Sequence, residues 1–225
     1  MSPTSPADAT VVIFAKAPVA GRAKTRLTPP CSPTQAAALA AAALADTSTA
    51  VLATPRITPV LVLDGEPGPW IPAGVEIVPQ PETDFNGRLR AAFTAAAGPI
   101  VLIGMDTPQL TGDRIRAVVD TLLRPGTDAV LGRTVDGGWW TLGLAQPADA
   151  VARGIFGAVP VSSSATGELQ RRELDALGLA TVEVEVETDV DTAADAVVVA
   201  ELAPTTRFAS TWRSVAATCE VQDAR

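Results

Sequence analysis

The chain has 225 residues, of which 47% are hydrophobic and 4% aromatic, with a net charge of −8 and an isoelectric point near 4.6. Length and apolar content suit one α/β domain with an aliphatic core, whereas so acidic a chain lacks the broad cationic face that nucleic acid requires. Histidine is absent, which removes Ser-His-Asp and Cys-His nucleophiles, imidazole acid/base chemistry and imidazole-ligated metals. Carboxylates, Lys, Arg, hydroxyls, backbone groups and a bound metal are what remain.

Val11 to Phe14 is a short apolar strand, followed by a Pro/Gly/basic loop over residues 16–30. Ser32-Pro33-Thr34-Gln35 is a helix start, with Ser as N-cap, Pro at the first position and Gln three residues on. The alanines after it carry the helix to about Ala53. Strands are expected over residues 59–63 and 75–78, and a helix over residues 88–97 that Gly98-Pro99 ends. Ile100 to Gly104 is the strongest buried-strand signal.

Asp106-Thr107-Pro108 then makes a turn, and Thr111 opens a helix to about Leu123. Residues 129–132 and 139–144 read as strands around Asp136-Gly137-Gly138, and residues 169–177 as a helix ended by Gly178. Thr181 to Glu187 alternates Val with Glu, the period of a half-exposed strand. Thr192 caps a helix running to Glu201. The last twenty or so residues fit a docked helix or a frayed tail equally.

Strands that alternate with helices predict a three-layer α/β/α domain around a mainly parallel sheet. The expected boundaries are residues 10–202 for that domain and 203–225 for a C-terminal extension. No apolar run approaches the roughly 20 residues needed to cross a bilayer, and the first residues lack the pattern of a signal peptide. A cytoplasmic protein without membrane insertion is expected. Cys31 and Cys219 fit neither a disulfide framework nor a zinc pattern, and both read as free thiols.

In such sheets ligands sit beyond the carboxyl ends of the strands. Three loops lie there: Lys16–Arg26, Asp106–Leu110 and Asp189–Asp191. The first holds Lys16, Arg22, Lys24 and Arg26, four of the 17 basic residues and both lysines of the chain. Gly21 lets backbone N–H groups approach an anion, while Lys24 and Arg26 bring charge to phosphate oxygens. The loop is not a Walker A motif, since Ala23 stands where that motif needs Gly. Asp106 directly follows the best strand, and a hard divalent cation wants such carboxylate oxygens. Asp-Thr-Pro is also ordinary turn chemistry.

The segment Phe14-Ala15-Lys16-Ala17-Pro18 through Gly21-Arg22-Ala23-Lys24-Thr25-Arg26-Leu27 resembles the opening signature of a bacterial glycosyltransferase-A-like family of poorly defined function. That family is related to phospholactate and molybdenum-cofactor guanylyltransferases. The resemblance continues through Gly87-Arg88-Leu89, residues 103–110, Asp136-Gly137-Gly138-Trp139 and Asp189-Val190-Asp191-Thr192. It implies a nucleotide-diphospho-sugar transferase fold, a nucleotide substrate bound with Mg²⁺ or Mn²⁺, and transfer to a small-molecule acceptor.

On that resemblance Lys16, Gly21, Arg22, Lys24, Thr25, Arg26 and Arg88 bind nucleotide or phosphate, with Lys24 catalytic. Asp106 and Asp191, less readily Asp189, hold the metal. Asp136 is a candidate base toward the acceptor, although Asp-Gly is also the commonest hairpin turn, and Trp139 lines the acceptor pocket or joins the core. Asp84-Phe85-Asn86-Gly87 departs from the family pattern before Arg88. Ser162-Ser163-Ser164 with Thr166 reads as a capped loop or as acceptor contacts. The expected activity is glycosyl or nucleotidylyl transfer; the alternative is a non-catalytic binding module that keeps the fold.

Overall fold

The computed structural model describes residues 7–157 and 164–223. In chain order they form β1 (Ala9–Lys16), a 3-10 turn (Thr25–Leu27), α1 (Pro33–Ala53), β2 (Ile57–Asp64), β3 (Glu76–Pro79), α2 (Phe85–Ala92) and β4 (Ile100–Gly104). There follow α3 (Gly112–Leu122), β5 (Ala129–Thr134), β6 (Trp139–Leu144), α4 (Pro147–Ala152), α5 (Thr166–Ala176), β7 (Thr181–Glu187), α6 (Ala193–Leu202) and α7 (Arg207–Asp223). Residues 162 and 163, two of the serines singled out above, lie outside the described residues.

The strands make one sheet in the order β3-β2-β1-β4-β6-β5-β7. All neighbours pair in parallel except β6, which runs against both β4 and β5. Alternate residues of β1 face opposite layers, as strand geometry requires. Val11, Ile13 and Ala15 pack with α1 and α3 on one side. Val12 packs with Leu89 and Phe93 of the α2 segment and Leu174 of α5 on the other. The sheet is therefore covered on both faces, which is why its central strands are almost wholly apolar.

The register aligns the strand ends. Lys16 of β1 pairs with Asp64 of β2, and Phe14 with Gly104 of β4. In parallel β5 and β7, Thr134 pairs with Glu187. The loops after β1, β2, β4 and β7 thus leave from one rim. Because β6 is reversed, the β5–β6 turn opens onto that same rim.

Several boundaries and burials differ from expectation. The second helix spans Phe85–Ala92 rather than residues 88–97, because the Asp84 side chain accepts from the Gly87 N–H at 2.6 Å and caps it early. A Cβ on Gly87 would lie 2.6 Å from the end of the Thr83 side chain, which would have to turn away to admit it. Helix α1 is 21 residues long and apolar enough by length and composition to cross a membrane, contrary to the sequence estimate. It is instead largely buried: its alanines and leucines pack against the sheet on one side and α6 and α7 on another. On β7, an edge strand with a single neighbour, Val182 and Val186 are exposed and only Val184 packs against the core.

The last helix, α7, docks on α1. Asp46, buried in α1, accepts from the backbone N–H groups of Arg207 at 3.2 Å and Phe208 at 2.8 Å, capping α7 from a different element. Phe208 and Val215 are buried in the cluster that joins α1, α6 and α7. Burying side chains of this size contributes about 1.5–3 kcal/mol each.

Candidate active site

The basic loop leaves β1 at Lys16 and turns at Gly21, whose φ of 76° is the left-handed conformation glycine tolerates. A Cβ there would meet nothing, so only the backbone bend calls for glycine, and Gly21 does not itself line the cleft. Lys24 adopts φ 51° and initiates the 3-10 turn. Ala23 and Leu27 are buried beneath the loop and fix it to the core.

The loop after β4 is tied to the loop after β7. Val190, 1% exposed, donates its N–H to the Asp106 carbonyl at 2.9 Å. Gln109 donates its side-chain amide to the Thr188 carbonyl at 2.7 Å. With Val190 inward, the alternation of extended chain places Asp189 and Asp191 on the opposite side together. Thr192 and Asp195 form a capping box at the start of α6. The helix cap and the Asp191 carboxylate are therefore separate features, and one does not preclude the other.

These loops meet around one cleft of about 730 Å³. Lys24 Nζ lies 2.8 Å from Asp106 Oδ1 and 3.3 Å from Asp191 Oδ1, and donates to the Val190 carbonyl. Arg26 holds the other Asp191 oxygen at 2.8 Å. Burial opposes the charge on Lys24, but the two carboxylates outweigh it and raise its pKa above the ordinary lysine value. Lys16 and Arg22 line the same cleft, exposed and without an ion-pair partner among the described residues.

Three carboxylates gather at the far side: Asp136, Asp189 and Asp191 present oxygens all within 4.8 Å of one another. Asp136 sits in the β5–β6 turn, where its Oδ1 accepts from the Thr134 hydroxyl at 2.5 Å and the Gly138 N–H at 2.9 Å. Asp189 is pushed up to about 7 by burial, then by its neighbours Asp136 and Asp191. Oxygen donors of this kind fit a hard divalent cation, which would relieve the repulsion among them. Asp106, by contrast, lies outside this triad and directs Oδ1 to Lys24, with no other hydrogen bond to that atom among the described residues.

Trp139 lines the cleft and also packs against the core. Its neighbour Trp140 is 2% exposed and belongs to the interior, with Nε1 donating to the Glu185 carbonyl at 3.1 Å. Gly132 makes room for that ring, since a Cβ there would lie 2.5 Å from Nε1. Ser164 and Thr166 line the same end of the cleft, and the Gly167 N–H donates to the Gly137 carbonyl at 2.8 Å, fastening the turn to α5.

At the opposite end Arg88 donates from one nitrogen to Asp64 at 3.1 Å and Gln80 at 3.4 Å. Phe14 and Phe85 pack edge to face there, ring centroids 5.7 Å apart. Asp64, Gln80, Phe14 and Phe85 escaped sequence reasoning as site residues. Asp64 had a usable signal: it closes β2 at the rim where ligands are expected. Gln80 had none, because it reaches the site by donating to the Ala15 and Val62 carbonyls across the sheet.

Residues 37–163, more than half of the chain, match a family described as an uncharacterized protein conserved in bacteria (DUF2064). The chain belongs to this family. The matched range of this DUF2064 chain includes Arg88, Asp106, Asp136 and Trp139 but neither the basic loop nor Asp189 and Asp191. Comparison with curated proteins finds no match. Among solved structures, a candidate nucleotide-diphospho-sugar transferase from Desulfovibrio desulfuricans is similar at TM-score 0.82 and 18% identity, covering 95% of this chain and 97% of that one. CMP:2-keto-3-deoxy-manno-octonic acid synthetase complexed with CTP is similar at TM-score 0.58 and 13% identity, over 88% of this chain and 99% of that one. The 2-C-methyl-D-erythritol 4-phosphate cytidylyltransferase of Thermus thermophilus follows at TM-score 0.55 and 16% identity, over 87% and 98%. The DUF2064 chain thus has the nucleotide-diphospho-sugar transferase fold.

Proposed function

We propose that the chain is a divalent-metal-dependent transferase that acts at the phosphates of a nucleotide, either a nucleoside triphosphate or a nucleotide-diphospho-sugar. One observation carries this reading: the Lys24 ammonium lies within 3.3 Å of both Asp106 and Asp191, residues far from it in sequence, in a single cleft. The cytidylyltransferase fold relatives are consistent with it.

The cleft's own charge argues for the metal. Its lining holds five cations (Lys16, Arg22, Lys24, Arg26, Arg88) and five carboxylates (Asp64, Asp106, Asp136, Asp189, Asp191). A polyphosphate brought into this balanced set needs more positive charge than the side chains supply. Asp136, Asp189 and Asp191, with Asp106 beside them, would hold Mg²⁺ or Mn²⁺, which offsets charge on phosphate oxygens when bound. Lys16 and Arg22 are placed to bind the phosphates and to stabilise the diphosphate or pyrophosphate as it departs. Trp139, Ser164 and Thr166 border the space left for an acceptor.

Nucleotidylyl transfer to a phosphate acceptor needs no strong base. The position of Asp136 favours glycosyl transfer as the second reading, in which its carboxylate removes the proton of an acceptor hydroxyl as the new bond forms. The buried cysteine Cys31 suits the reducing cytoplasm, the location we propose. The test is thermal stabilisation by four nucleoside triphosphates and by common nucleotide-sugars, with and without Mg²⁺. Stabilisation by triphosphates alone selects the first chemistry, by nucleotide-sugars alone the second. No metal-dependent stabilisation by any of them rejects the proposal.

A further inference from the structure

The four cations of the basic loop divide into two pairs. Lys16 and Arg22 face the open cleft, whereas Lys24 and Arg26 close on carboxylates. The Lys24 side chain is only 9% exposed, and its ammonium touches Asp106, Asp191 and the Val190 carbonyl. An ammonium ringed by two carboxylates and a carbonyl has the all-oxygen surroundings that a small hard cation would take. The backbone beneath it is in the left-handed region, at φ 51°, where a long side chain rests only if its contacts hold it.

We infer that Lys24 is an internal counter-cation of the Asp106–Asp191 pair, which a divalent metal displaces only when phosphate oxygens offer the ammonium a new partner. The inference rests on the reading of the cleft as a nucleotide–metal site and adds how that site is regulated. Asp191 cannot neutralise a metal and an ammonium in contact with it without bringing the two positive charges together. A buried ammonium that simply leaves its carboxylates is left uncompensated, which is strongly unfavourable. Phosphate oxygens remove that obstacle because they accept charge-assisted hydrogen bonds as well as carboxylates do. Metal and polyphosphate then promote each other's binding, and the coupling is reciprocal. Without phosphate a metal ion has to compete with the chain's own lysine for Asp191, and so binds more weakly.

Mn²⁺ alone, titrated by electron paramagnetic resonance without nucleotide, tests the point. Lys24→Met is expected to bind Mn²⁺ about tenfold more tightly than the unaltered protein, within the usual range of coupling energies. Equal or weaker binding by Lys24→Met overturns the inference. If Asp191→Asn nevertheless weakens Mn²⁺ binding in the unaltered background, the nucleotide–metal reading survives that failure. If Asp191→Asn changes nothing in either background, the reading itself is lost and the inference with it.

The unaltered protein supplies a second test that needs no variant to fold. Lys16 and Lys24 are its only lysines, so two ammonium signals are expected in nitrogen-15 spectra of lysine-labelled protein. Mg²⁺ alone should leave the Lys24 signal in place, whereas Mg²⁺ with inorganic tripolyphosphate should shift it. A Lys24 signal that moves with Mg²⁺ alone, or that stays fixed with both, contradicts the exchange.

Discussion

Gln109 donates its side-chain amide to the Thr188 carbonyl at 2.7 Å, and so the loop that follows β4 fixes the height of the loop that follows β7. Neither residue needs to touch a ligand, yet the bond sets where Asp189 and Asp191 stand relative to Asp106. Gln109→Ala should lower stability by about 1–2 kcal/mol, as expected for losing its partly buried hydrogen bonds to the Thr188 carbonyl and the Glu187 carboxylate. The larger effect should be on Mn²⁺ affinity, reduced severalfold because the carboxylates lose their spacing. Chemical denaturation and metal titration of the same variant separate the two.

Gly137 combines a φ of 92° with the tightest surroundings of any glycine described, since a Cβ there would lie 1.9 Å from the Ser164 carbonyl. Gly137→Ala therefore strains the backbone and pries the β5–β6 turn from α5. A loss of about 3 kcal/mol or more is expected. A melting temperature within a degree or two of the unaltered protein would contradict the close contact.

Asp189, with its pKa pushed up to about 7, holds its proton more tightly folded than unfolded. Between pH 4 and 7 the native state binds the extra proton, so stability falls as pH rises through this window and the penalty is complete above it. In chelated buffer Asp189→Asn should remove this part of the decline. Relative to the unaltered protein it should gain about 1–2 kcal/mol at pH 8 over its value at pH 5, a figure reduced for partial solvent screening. For a domain of this size that is about 2–8 °C in melting temperature. A difference between the two proteins that stays flat with pH would contradict the shift.

Arg88 is held at the cleft by Asp64 and Gln80 rather than by the solvent. Arg88→Met should weaken nucleotide binding about tenfold, the loss of a charge-assisted contact. The melting temperature should change little, because a half-exposed ion pair contributes less than about 1 kcal/mol. Calorimetric titration with the nucleotide that stabilises the unaltered protein reads the first effect, and a thermal scan the second.

What could be read from the sequence was what local chemistry writes there. The Ser32 cap with Pro33 and Gln35, the continuous apolar run from Ile100, and the Lys16–Arg26 loop after β1 each follow from neighbouring residues. The strand-end rule then brought Asp106, Lys24 and Asp191 together correctly. Contacts made across the sheet were not legible in this way. Gln80 reaches the cleft through carbonyls of β1 and β2, and Asp46 caps a helix that lies more than a hundred residues further along. The period of Val182, Val184 and Val186 marked a strand but could not say that β7 would be an edge. That depends on which strand finishes the sheet, a matter of topology rather than of composition.

The reversed course of β6 has a consequence for how such a protein diversifies. Strands β1, β2 and β4 commit their carboxyl ends to the cleft, and their register is locked by shared burial. The β5–β6 hairpin turns back at the same rim, and its tip is held there by Gly137 against Ser164 and by Asp136 beside Asp189. Substitution at Trp139, which lines the cleft without joining the carboxylate cluster, should therefore reshape one wall of the cleft while Asp136 and Gly137 keep their places.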